Sequence, residues 1–130
     1  MMVYLDTSVA LAQLLAEDTR PAPDLWLQPL IASRLLEYEI ATRLSNLGVS
    51  DAQRSVATVL LQRVALIELI PEILQHGLTR ALPKSVRTLD RLHIASLLYL
   101  HEQGVSLKLA TYDDRMREVA LALQIPLYHP

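Results

Sequence analysis

Five short apolar runs separated by stretches of helical periodicity restrict this chain more than any other feature of its sequence. The runs are MVYL before Asp6, LIAS at 30–33, ALIELI at 65–70, LKLATYD at 107–113 and PLYH at 126–129. Between the first two lie SVALAQLLAE, which reads as a helix, and a connector broken by Pro21, Pro23 and Pro29 with a short helix around Trp26. From Ser33 to Leu47 the spacing predicts a helix with Leu36, Ile40, Leu44 and Leu47 on one stripe and Gly48 where a C-terminal cap belongs. Ser50 or Asp51 caps a further helix running to about Val64. Two more follow near 72–81 and 88–103, and DDRMREVALALQ forms the last, with Met116, Val119, Ala120 and Leu123 in register. Strands that alternate with helices predict an α/β domain whose mostly parallel sheet is covered on both faces. No internal repeat, low-complexity tract or linker interrupts it, so a single domain over 1–130 is expected.

Composition removes several functional classes. There is no cysteine, so disulfides, thiolate nucleophiles and cysteine-based zinc sites are excluded together. The three glycines, Gly48, Gly77 and Gly104, lie far apart, which rules out a glycine-rich phosphate cradle. G-x-S-x-G and H-E-x-x-H are both absent. A net charge of −2 means that nucleic-acid binding would need a local basic patch. The N-terminal segment lacks the basic flank of a secretion signal, and no run reaches the ~18 apolar residues of a membrane span, so a cytoplasmic protein is expected. The hydrophobic share of 52% exceeds what one small core needs and points to an oligomer or partner surface.

The acids carry the chemical signal. In a parallel sheet ligands bind beyond the carboxyl ends of the strands, and Asp6 and Asp113 each close a strand-like run. Ser8 can cap the helix after Asp6, so that acid is not needed for capping. Adjacent side chains of an extended chain point opposite ways, so only one of Asp113 and Asp114 can share a pocket with Asp6. The other favours the start of the following helix. Asp90 leads the apolar face of TLDRLHIASLLYL, shared with His93, Ile94 and Leu97, while Thr88 is better placed to cap that helix. Glu37 and Glu39 sit on opposite borders of their helical stripe, and geometry does not choose between them. Glu39 also has Arg43 four residues on, the spacing of a surface pair. Carboxylates gathered on one rim resist ionisation unless a hard divalent cation joins them, and oxygen donors suit Mg²⁺ or Mn²⁺. His93 reads as a packed residue beside such a site.

The succession V-Y-L-D-T-S, S-R-L-L-E-Y-E-I-A-T-R-L, L-D-R-L-H-I-A and L-A-T-Y-D-D-R-M resembles the PIN-domain family. It looks most like the small VapC-like toxin ribonucleases of type II toxin–antitoxin pairs. That resemblance implies a three-layer α/β/α fold and a catalytic, metal-holding quartet of Asp6, Glu39, Asp90 and Asp113, with Glu37 as the fallback for the second acid. It implies supporting hydrogen bonds from Ser8 and Thr111. Arg43, Arg91 and Arg115, with Lys84 and Arg87, are candidate phosphate contacts, although Arg91 stands where relatives commonly carry a small residue. The activity implied is a Mg²⁺- or Mn²⁺-dependent endoribonuclease with RNA as substrate, a cognate antitoxin as partner and a homodimer as assembly. The alternative is a PIN-like module that binds RNA or protein without cutting.

Overall fold

The computed structural model describes every residue from Met1 to Pro130 except Ser85. Strand β1 (Met2–Leu5) leads into helix α1 (Thr7–Leu14), and a 3-10 turn at Pro23–Leu27 leads into β2 (Leu30–Ser33). Helices α2 (Leu35–Leu47) and α3 (Asp51–Gln62) precede β3 (Val64–Ile67). After α4 (Pro71–Thr79) and α5 (Thr88–Glu102) come β4 (Leu107–Ala110), α6 (Asp114–Ala122) and β5 (Leu127–Tyr128). All five strands are parallel, in the order β3-β2-β1-β4-β5.

The layers follow from side-chain alternation along each strand. Val3, Leu5, Leu30 and Ala32 point to one face and pack with Val9 and Ala10 of α1, Leu36, Ile40 and Leu44 of α2, and Ala57 and Leu60 of α3. Tyr4, Ile31, Leu107 and Leu109 point to the other face and pack with Ile94, Leu97 and Leu98 of α5 and Met116, Val119 and Ala120 of α6. This is the expected three-layer α/β/α arrangement, and a sheet buried on both faces is why its strands read as nearly continuous apolar runs. β1 lies at the centre, bonded to β2 on one side and β4 on the other. The carboxyl ends of β1 and β4 therefore flank the point where successive crossovers diverge, the usual place for a ligand in such sheets. No helix among the described residues is long and apolar enough to cross a membrane.

Several elements differ from their sequence readings, each for a local reason. β3 begins at Val64 and ends at Ile67, where its four-residue ladder with β2 runs out and Arg34 N–H takes the last carbonyl at 2.8 Å. Glu68–Ile70 therefore leave the sheet before Pro71 opens α4. β4 likewise stops at Ala110, opposite Leu5, because β1 ends there. Leu47, at the last position of α2, is half exposed and not part of the core. The N-cap of α5 is Arg87, without a side-chain capping bond, and the expected cap Thr88 is already helical. Gly48 ends α2 with a left-handed φ of 62°, which suits glycine. Ser50 caps α3 in a full capping box with Gln53.

Candidate active site

The site is built where β1 and β4 end side by side. Asp6 N–H bonds the Ala110 carbonyl at 3.0 Å, which fixes the first acid against the end of the neighbouring strand. Asp6 holds the N-cap position of α1, yet its side chain makes no capping bond. It is buried, and its Oδ2 accepts from the Ser8 hydroxyl at 2.6 Å and the Thr111 hydroxyl at 2.8 Å. Ser8 Oγ in turn accepts Tyr112 N–H at 3.0 Å, and Thr111 Oγ1 accepts Asp113 N–H at 3.0 Å. Two hydroxyls thus satisfy the backbone of 111–113 where the β-ladder has stopped, and they hold Asp6 while doing so.

Asp113 is the N-cap of α6, its Oδ1 accepting from the N–H groups of Arg115 at 2.8 Å and Met116 at 3.4 Å. Its Oδ2 lies 3.9 Å from the Arg87 guanidinium, which also reaches Asp90 at 3.6 Å. Asp114 takes the first turn of α6 as expected, and the structure adds that Asp113 caps that helix while its other oxygen lies toward Arg87 and Asp90. Asp114 begins α6, is almost fully exposed and pairs with Arg117 at 2.9 Å.

Asp90 lies in the first turn of α5. Burial raises its carboxyl above the ordinary aspartate range, and the charges of Asp6 and Asp113 push it the same way, while Arg87 and His93 pull it back. The three aspartates thus feel one another's charge across the strand ends.

Glu39 approaches from α2. Its Oε1 accepts from Thr7 Oγ1 at 2.9 Å and contacts His93 Nε2 at 2.5 Å, so it is tied into the core instead of pairing with Arg43. Glu37, by contrast, is half exposed and pairs with Arg34 at 3.1 Å. Sequence reasoning treated His93 as a packing residue and passed over Tyr4 and Thr7. The signals were a phenol among the aliphatic residues of β1 and an imidazole one turn after Asp90.

The basic candidates divide. Arg43 borders, with Thr7, Glu39, Thr42, Asn46 and Leu89, a cleft of about 270 Å³ beside the second acid. Arg115 is exposed at the start of α6. Arg91 is directed elsewhere, donating to the carbonyls of Gly77 at 3.3 Å and Arg80 at 3.4 Å, so the structure makes it a tie to the end of α4. Arg87 stands between two of the acids.

Among the described residues no three carboxylate or imidazole groups form a ready cation cage. What the rim does offer is a cluster of mutually repelling oxygens, with Asp6 exempt from capping. That donor set fits Mg²⁺ or Mn²⁺, which usually bind through one or two carboxylates plus water and substrate phosphate instead of a closed protein cage.

Comparison with known proteins agrees with this architecture. The profile of the PIN domain matches residues 3–122. Ribonuclease VapC46 of Mycobacterium tuberculosis is 31% identical over 134 aligned positions, covering 98% of this chain and 97% of that protein. The crystal structure of PAE2754 from Pyrobaculum aerophilum superposes with a TM-score of 0.58 over 91% of this chain and 86% of that one, at 22% identity.

Proposed function

Because this chain belongs to the PIN domain family, we propose that it is a metal-dependent endoribonuclease and the toxin of a type II toxin–antitoxin pair. The observation that carries the reading is Asp6, a buried acid at a cap position that does not cap. It is held by two hydroxyls beside two further aspartates. The similarity to Ribonuclease VapC46 along nearly the whole chain supports RNA as the substrate.

In this reading Asp6, Asp90 and Asp113 hold the divalent cation, with Glu39 as the fourth acid. A bound Mg²⁺ or Mn²⁺ lowers the pKa of a water and stabilises charge during in-line displacement at phosphorus. Ser8 and Thr111 keep the Asp6 carboxylate oriented through its Oδ2. Arg87, which sits against Asp90 and Asp113, can turn to a phosphate oxygen once a cation neutralises those acids. Arg43 and Arg115 flank the approach as phosphate contacts.

Leu27, Tyr38, Leu78 and Leu121 stay largely exposed. Such apolar area supports a protein partner, proposed here as the antitoxin together with a second copy of this chain.

The test is cleavage of RNA by purified protein in Mg²⁺ or Mn²⁺, against chelator and against Asp6→Asn. Cleavage should require the metal and be lost in the variant. Metal-independent cleavage, or full activity in Asp6→Asn, contradicts the proposal. RNA or antitoxin binding without cleavage would replace it with a non-cutting module.

A further inference from the structure

Beneath the acidic rim runs a chain of buried polar groups that the nuclease reading does not use. Tyr4 is fully buried, His93 is 1% exposed, and both lie among aliphatic side chains of the sheet and α5. Polar groups in such surroundings are costly unless each finds a partner. Every one here does. Ser33 N–H, at the end of β2, donates to the Tyr4 hydroxyl at 3.1 Å. The Tyr4 hydroxyl lies 2.9 Å from His93 Nδ1, and His93 Nε2 contacts Glu39 Oε1.

The direction of this chain follows from the donors available. The backbone N–H of Ser33 can only donate, so the Tyr4 oxygen accepts it and its own hydrogen is available for Nδ1. The Glu39 carboxylate can only accept, so Nε2 must carry a hydrogen. The opposite tautomer would set a bare ring nitrogen against a carboxylate oxygen. Thr7 Oγ1 adds a second donor to the same Oε1. The bonds of Glu39 among the described residues therefore all fall on one oxygen.

We infer that His93 is a positioning residue: the Glu39 carboxylate holds a hydrogen on Nε2, the Tyr4 hydroxyl completes the ring's bonds at Nδ1, and the Nε2–H turns Glu39 Oε1 inward so that Oε2 is left for the rim. The role of Glu39 toward a cation rests on the nuclease reading; the tautomer does not. A carboxylate anchored through one oxygen presents the other in a set direction, and losing such outer support typically weakens metal binding by about 10–100-fold. Packing alone would be served equally well by an aromatic hydrocarbon at position 93.

Two measurements test the inference. Long-range ¹H–¹⁵N NMR of the imidazole reads the tautomer with neither metal nor RNA present. The wild-type protein should show a hydrogen on Nε2, and Glu39→Ala should raise the share of the Nδ1–H form. A ring without a hydrogen on Nε2, or a tautomer unmoved by Glu39→Ala, overturns the inference even if the protein binds metal. Conversely, a wild-type protein that binds no Mn²⁺ defeats the metal reading and leaves the tautomer to decide this one. Mn²⁺ titration followed by electron paramagnetic resonance then compares His93→Phe with His93→Gln, whose amide can still donate from near the Nε2 position. His93→Phe should lose roughly tenfold or more in affinity and His93→Gln should recover most of it. Wild-type affinity in His93→Phe, or no recovery in His93→Gln, refutes the positioning role. Should His93→Phe not fold, His93→Met, which fills the space without a donor, takes its place in the comparison with His93→Gln.

Discussion

Asp6 shows how one residue separates a structural from a chemical use. A capping aspartate bonds the first turn of its helix, and Asp113 does so while Asp6 does not. Asn caps as well as Asp, so Asp113→Asn removes the charge and leaves α6 capped. Its melting temperature should stay close to wild type while cleavage is lost. Asp114→Asn should leave both nearly unchanged, because that side chain is exposed and its pair with Arg117 contributes little. Loss of activity in Asp114→Asn with retention in Asp113→Asn would reverse the assignment. Asp90 gives a prediction in pH. Its folded carboxyl is raised by burial and by Asp6 and Asp113, so in the metal-free protein ionisation costs the folded state more than the unfolded one. That cost is absent below the ordinary aspartate range and fully present above the raised value. Asp90→Asn should therefore raise the melting temperature by a few degrees at about pH 7, and the gain should vanish near about pH 3. An equal gain at both pH values would place its cause outside this titration. At this scale the acids and the supporting hydroxyls were expected through the family resemblance, and the structure sets the Ser8 and Thr111 hydroxyls on Asp6. The partners of Glu39 were not legible in the sequence, since Thr7 and His93 lie far from it along the chain and meet it only through packing.

Among the elements, type and order were legible, and ends were not. LKLATYD and ALIELI read as strands to their last apolar residue, but each strand extends only as far as its neighbour pairs with it. β4 stops opposite Leu5 and β3 opposite Ser33. That shortening places 111–113 outside the ladder, where Ser8 and Thr111 satisfy the backbone and hold Asp6. Arg91 is the case in which helical position misled, since it follows Asp90 in sequence and so points to another face of α5. Its bonds to Gly77 and Arg80 tie α4 to α5. Arg91→Ala should lower thermal stability and leave RNA cleavage near wild type. Full stability with cleavage strongly reduced would return Arg91 to the substrate.

Across the whole molecule, five parallel strands place β1 and β4 side by side at the centre, and the acids from β1, α5 and the β4–α6 junction meet at that end of the sheet. Helices on both faces supply the core, and the sequence showed this through strands apolar along their full length. The central claim is that this acidic rim holds a divalent cation. Mn²⁺ titration of wild type, Asp6→Asn and Asp90→Asn, followed by electron paramagnetic resonance on protein shown by circular dichroism to be folded, tests it most directly. The account predicts saturable binding by the wild type and at least roughly tenfold weaker binding in each folded variant. Binding of Mn²⁺ by both variants with wild-type affinity would contradict it.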